Sequence, residues 1–323
     1  MKGLQPPPKT ETPSRLVARF LTLIILAGAA GVVIYTAVTN QRADVAEDLR
    51  LINLSIENPT VIDGFSINVV DDPGGDQPVL ILHDVDVTGG LALSDLSASL
   101  GAAYHGARLD LPGFGYSTRM PREGQGHTVA GMAERVSAVI EARYSGPLPI
   151  IGIGLGGEVG AELAHSYPEL VSGLVMVDSD FWARDSFVDR LQGFPWVGKA
   201  AAYTWETGGR FAIDSWSPYC DQGGWCPSAE QLSMRSIIVE VDDTTDSIYG
   251  FRRTADAALA PANLDEITVP VAYVWSVDGA VPAETVQRLN DEVNGLTVTE
   301  SNSFQAHLED PSTVAAALES LGG

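Results

Sequence analysis

Cysteine is nearly absent. The 323 residues hold two, Cys220 and Cys226, and no histidine lies near them, so a metal site there lacks further ligands. Basic charge is scarce too: 19 Lys and Arg face 42 Asp and Glu, a formal net charge of −23. The first forty residues carry four of the bases and one acid, so the remainder stands at −26. Such a surface excludes nucleic acid and anionic lipid headgroups as partners and suits an acidic, soluble ectodomain. No internal repeat is visible.

One long apolar run is present. Phe20 to Val38 reads FLTLIILAGAAGVVIYTAV without a charge, and as a helix it spans about 28 Å, close to the hydrocarbon thickness of a bilayer. Lys2, Lys9, Arg15 and Arg19 precede it against Glu11 alone. This basic bias puts the N-terminus in the cytoplasm and the C-terminal domain outside. The alternative is a cleaved signal peptide, whose apolar core is usually shorter. The expected organisation is a cytoplasmic tail over residues 1–19, a single transmembrane helix over 20–38 that anchors the chain in the cell membrane, and a stalk over 41–54. Outside the cytoplasm, the spacing Cys-Asp-Gln-Gly-Gly-Trp-Cys predicts a local disulfide between Cys220 and Cys226.

Beyond the stalk, strands and helices alternate. Pro78 to His83, Ala107 to Leu111, Leu148 to Ile153, Leu174 to Val177 and Val271 to Trp275 read as buried strands. Between them, Leu91 to Leu100, His127 to Tyr144 and Leu155 to Tyr167 read as helices, the second with Val129, Met132, Val136, Val139 and Ile140 on one face. This is an α/β pattern with a mostly parallel central sheet flanked by helices. The alternation stops between Phe181 and about Ile267, where five of the six tryptophans occur: Trp182, Trp196, Trp205, Trp216 and Trp225. The segment 181–266 is expected to form an inserted cap on a core made of 55–180 and 267–323. Its tryptophans either build the cap's own core or line a cleft for an apolar small molecule.

Four blocks in order carry a resemblance. Leu80-Ile81-Leu82-His83-Asp84 resembles a strand ending in His-Gly, with Asp84 in place of the glycine. Asp110-Leu111-Pro112-Gly113-Phe114-Gly115-Tyr116-Ser117 matches the pattern Asp-x-Pro-Gly-x-Gly-x-Ser at every defining position. Gly152-Ile153-Gly154-Leu155-Gly156 is similar to the elbow Gly-x-Ser-x-Gly with Gly154 where the serine would stand. Val274 to Pro282 and Ala306 to Pro311 are similar to the acid and histidine blocks, placing Asp278 and His307 at those positions. The chain thus resembles the α/β-hydrolase superfamily from about Ser55 to its C-terminus. The resemblance implies that the backbone of Val85 and Leu155 forms the oxyanion hole and that Asp278 orients His307. The acid segment is one residue short. His83 falls at the family's His-Gly turn, where histidine is usually structural, and His105, His127 and His165 match no catalytic position.

No Ser, Cys, Thr or Asp lies between Gly152 and Gly157, so shifting the alignment restores no nucleophile and a covalent acyl-enzyme lacks its first reagent. The expected function is a membrane-anchored α/β-hydrolase-fold protein that binds or scaffolds without serine catalysis. The elbow resembles that of the N-myc downstream-regulated proteins in carrying glycine for serine. Asp278 and His307 either satisfy each other in a buried polar spot or act as a dyad in which His307 activates water or a substrate proton. No cofactor is expected. A third reading takes Gly152, Gly154 and Gly157 as a dinucleotide fingerprint with Asp178 at the end of the next strand. Its place in the middle of a longer sheet, with a tryptophan-rich segment following, argues against that.

Overall fold

The computed structural model describes Thr22 and residues 59–120, 127–182, 220–239, 241, 244, 247–248 and 264–322. The expected tail, transmembrane segment (Thr22 aside) and stalk lie outside the described residues, as do Trp196, Trp205 and Trp216. No helix among the described residues is long and apolar enough to cross a membrane.

The chain enters through a small antiparallel pair, β1 (Thr60–Ile62) and β2 (Phe65–Ile67), then forms β3 (Val69–Asp71) and β4 (Gln77–Leu82). A 3₁₀ turn (Gly89–Leu93) leads into α1 (Ser94–Ala98), β5 (Tyr104–Leu109), α2 (Val129–Arg143), β6 (Leu148–Ile153), α3 (Leu155–Ser166) and β7 (Val171–Val177). In the expected cap, α4 (Ala229–Val239) is described. The core resumes with β8 (Val271–Ser276), α5 (Ala283–Glu292), β9 (Thr297–Ser301), α6 (Ala306–Glu309) and α7 (Pro311–Ser320).

Seven strands make one sheet in the order β3-β5-β4-β6-β7-β8-β9, with only β3 antiparallel. Each central strand is apolar on both faces because helices cover both. Leu80, Leu82, Ile150, Leu174 and Met176 pack with Met132, Val136, Val139, Ile140 and Leu163 of α2 and α3. Their neighbours Val79, Ile81, Ile151, Val175 and Val274 point the other way, onto Leu93, Leu96, Val314 and Leu318. The period-two alternation of a strand therefore feeds two cores. Thr128 starts α2 by accepting the Gly131 N–H at 3.0 Å, as an N-cap should.

This topology gathers the ends of β4, β6, β7 and β8 at one edge, where the loops carry the candidate residues. Cys220 and Cys226 are joined, which closes a short loop before α4.

Candidate functional site

The strand-to-helix turn after β6 holds Gly154 at φ +50°, ψ −114°. An L side chain reaches this region only with strain. The turn is fixed from below by Gly154 N–H donating to Val177 at 2.8 Å and from above by Gly157 N–H donating to the Gly154 carbonyl at 3.0 Å. Its other glycines are required by close approach. A Cβ on Gly156 would overlap the Leu82 carbonyl, and one on Gly157 would overlap the Ser179 hydroxyl. These contacts with the chain's own strands account for the glycine spacing without a dinucleotide.

The space beside Gly154 is not empty. A Cβ built on Gly154 would collide with the Asp84 carboxyl group, whose more distant oxygen would still lie 2.7 Å away. Leu155 N–H donates to Asp84 Oδ1 at 2.9 Å, and the Val85 N–H also bonds this carboxylate. The two backbone donors expected to hold an oxyanion thus hold a carboxylate of the same chain. Asp84 remains exposed, yet the protein around it desolvates it. Its pKa is raised by that desolvation, against the opposing pull of the Leu155 and Val85 hydrogen bonds.

His83 orients this loop. Its Nε2 accepts the Leu111 N–H at 2.9 Å, so the proton resides on Nδ1, which donates to the Asp84 carbonyl at 2.5 Å. Two residues on, Asp86 accepts from the Thr88 N–H at 2.7 Å and hydroxyl at 2.5 Å, and from Arg235 of α4 at 2.6 Å. The Arg235–Asp86 pair is 5 % and 18 % exposed, so it pins α4 to the loop that carries Asp84. Desolvation by itself would raise the Asp86 pKa. Arg235 and Thr88 together reverse that and leave it below the usual carboxylate range.

The expected Asp278–His307 pair is not formed. Asp278 is exposed, and its backbone N–H donates to Ser303 at 3.2 Å. His307 Nδ1 is buried and has no hydrogen-bond partner among the described residues. The physical cause is the tight turn after β8: Gly279 N–H donates to Ser276 at 2.9 Å, and the chain passes so close to the Phe304 carbonyl that a Cβ on Gly279 would lie 2.8 Å from it. In so short a loop, Asp278 faces solvent. With Asp278 turned away, His307 is pushed down to a pKa of about 4, chiefly by desolvation and against the pull of Asp86.

A carboxylate that does connect to the histidine block is Asp178, at φ +50° on the end of β7. It accepts from Ser276 N–H at 2.7 Å and Ser276 Oγ at 2.5 Å, and Ser276 Oγ in turn accepts the Ala306 N–H at 2.8 Å. This chain anchors the start of α6, one residue before His307. Burial lifts Asp178 to about 6 against those hydrogen bonds. Glu158 stands one helical turn after Gly154, on the same face of α3. It is 6 % exposed, and its Oε2 has no partner among the described residues. Its pKa is raised well above the usual value by burial first, then by Asp84 and Asp180.

Sequence reading missed Asp86, Arg235, Glu158 and the Ser276 link. The replacement of glycine by Asp84 was legible, but nothing in the sequence shows that it reaches Gly154, seventy residues away. His105 Nδ1 donates to the Gly75 carbonyl at 2.7 Å, and His165 stands 3.8 Å from Glu266, both away from these residues.

Comparison with known proteins places this architecture. The family profile described as "alpha/beta hydrolase fold" matches residues 90–204. A curated relative, pimeloyl-[acyl-carrier protein] methyl ester esterase of Aeromonas salmonicida (strain A449), is 32% identical over 115 residues, 35% of this chain. The match spans 43% of that relative's length. Among solved structures, a hydrolase from Pseudomonas aeruginosa PA01 superposes with a TM-score of 0.65 at 20% identity, covering 83% of this chain and 99% of the other. The enol-lactonase from Burkholderia xenovorans LB400 does so with a TM-score of 0.64 at 15% identity, covering 82% and 99%. The chain has the α/β-hydrolase fold.

Proposed function

We propose that this chain is a membrane-anchored α/β-hydrolase-fold protein that binds a small molecule at the former catalytic edge and does not run serine hydrolysis. One observation carries the reading. The Asp84 carboxyl group lies where a nucleophile's Cβ would begin and accepts the Leu155 N–H that an oxyanion would need. Nucleophile and electrophilic stabilisation are lost together, and these are the two largest contributions to acyl transfer. The solitary His307 agrees with this. A base whose conjugate acid has a pKa of about 4 is a weak proton acceptor at neutral pH. The reading of an anchor is supported by the Phe20 to Val38 run, and that of an extracytoplasmic domain by the basic flank before it.

The second reading, catalysis by His307 without a serine intermediate, draws on the hydrolase and esterase names of the similar proteins. The test is labelling by a fluorophosphonate that reacts with activated serine. Wild type and Gly154→Ser are expected to remain unlabelled, because Asp84 fills the site in both. The Gly154→Ser/Asp84→Gly double variant is expected to gain slow labelling at residue 154. Asp84-independent ester turnover by the wild type, lost in His307→Ala, would overturn the proposal in favour of the second reading.

A further inference from the structure

We propose that Asp84 is itself a nucleophile, carried to the site on the loop after β4, and that it takes the alkyl group of a primary alkyl halide as a covalent ester. The inference goes beyond the binding reading above and leaves its statement about serine intact.

The geometry starts from the two carboxylate oxygens. Leu155 N–H donates to Asp84 Oδ1 at 2.9 Å, and the Val85 N–H also bonds this carboxyl group. No side chain among the described residues donates to Oδ2, so its lone pairs are available for attack. Asp84 is an exposed residue, and an electrophile approaches it from solvent without needing an enclosed cavity.

The carboxylate is also held in one place. His83 Nδ1 donates to the Asp84 carbonyl at 2.5 Å, and two residues on, Arg235 and Thr88 fix Asp86 at 2.6 Å and 2.7 Å. An ordinary surface carboxylate rotates freely and is wrapped in water. This one is oriented by backbone donors from two different strand ends and partly stripped of solvent, which raises its basicity.

The same contacts select the electrophile. Attack on an acyl carbon builds an oxyanion on the substrate that needs N–H donors, and those of Leu155 and Val85 are engaged by Asp84. Displacement at a saturated carbon builds no such oxyanion. Oδ2 forms its bond to carbon as the carbon–halogen bond breaks, and the halide leaves with the bonding pair. The negative charge passes from carboxylate to halide, no proton moves and no co-reactant is required. An opened epoxide would instead leave an alkoxide that calls for a proton, and the neighbouring acid Glu158 has its Oε2 sealed in the interior. In the product ester, Oδ1 is the carbonyl oxygen and keeps the Leu155 N–H as its donor.

The experiment treats the full-length chain in detergent with 1-iodobutane and, separately, with p-nitrophenyl butyrate. Mass spectrometry should find a butyl ester on Asp84, formed at least about tenfold faster than on Asp278, which is exposed but carries no such donors on its carboxylate. Asp84→Asn should abolish that ester. Unfolding in urea should erase the lead of Asp84 over Asp278, a control that does not depend on how the variant folds. p-Nitrophenyl butyrate should leave no butyryl group on Asp84. Butyl esters spread evenly over exposed carboxylates, a lead that survives unfolding, no ester on Asp84, or butyryl transfer to it would each overturn the proposal. Fluorophosphonate labelling of the wild type, run in parallel, reports separately on the absence of serine chemistry.

Discussion

The loop from Asp110 to Ser117 and the elbow at Gly154 are both glycine-rich turns at the end of parallel strands, yet they differ in how their polar groups are used. In the first, the carboxylate and the serine hydroxyl are satisfied within the loop's own neighbourhood, although the buried Tyr116 hydroxyl has no partner among the described residues. Asp110 accepts from Gly90 N–H at 2.7 Å, from Tyr116 N–H at 2.8 Å and from Asn68 Nδ2 at 2.8 Å, while Ser117 Oγ donates to the Asp110 carbonyl at 2.6 Å. A Cβ on Gly89 or Gly115 would overlap that carboxylate. The elbow has the same kind of close-packed glycine frame, but its carboxylate arrives from another strand and stands where chemistry would occur. A matched motif therefore reports the frame, and only the contacts across the cleft report the function.

The comparison breaks most easily at the loop. Asp110→Ala leaves the Gly90, Tyr116 and Asn68 donors unpaired in the interior, at about 1 to 3 kcal/mol each. It is expected to lower stability by at least about 3 kcal/mol in denaturant melts. A loss below about 1 kcal/mol would show that the loop does not depend on that carboxylate.

The β7–β8 junction sharpens the contrast through pH. Asp178 titrates at about 6 in the folded protein, above the carboxylate value of an unfolded chain, about 3.9. The folded state therefore binds its proton more tightly. The resulting stabilisation is complete below pH of about 4 and is lost as pH rises through 6. Asp178 is partly exposed, so the roughly two-unit shift is discounted to about 1 to 2 kcal/mol. The stability of wild type relative to Asp178→Asn should fall by that amount between pH 4 and pH 7. Glu158 and Asp84, which act in the same direction, are common to both proteins. Parallel pH curves would remove Asp178 from the account.

The smallest effect belongs to Asp278. Facing solvent and apart from His307, it should change stability by no more than about 0.5 kcal/mol when replaced by alanine. It should also leave the His307 titration, followed by NMR, where it was. A displaced titration would restore the pairing that the structure lacks.

The fold was largely legible because apolar runs such as Val79 to Leu82 and Ile150 to Ile153 could only be strands buried on both faces, and the elbow glycines marked the β6–α3 boundary to the residue. The site was legible as a set of positions and illegible as a set of contacts. Asp84 and Gly154 each stood out as a departure from the pattern, but a sequence lists them separately, and their overlap depends on β4 and β6 being neighbours in the sheet. Asp278 occupied the expected position in the chain, while the tightness of the Ser276–Gly279 turn decided where its side chain went. Arg235 lay in a segment with no strand-helix rhythm to suggest a partner.

The central claim is that Gly154 and Asp84 form one coupled arrangement, in which the Asp84 carboxyl group occupies the space a side chain at residue 154 would need. It is tested most directly by a double-mutant cycle on unfolding free energy with Gly154→Ala and Asp84→Ala. In the wild-type background, Gly154→Ala should cost about 2 to 4 kcal/mol, from the left-handed backbone strain plus overlap with the carboxyl group. In the Asp84→Ala background the overlap is gone, and the cost should fall by at least about 1 kcal/mol. Costs equal within about 0.5 kcal/mol in the two backgrounds would contradict the account.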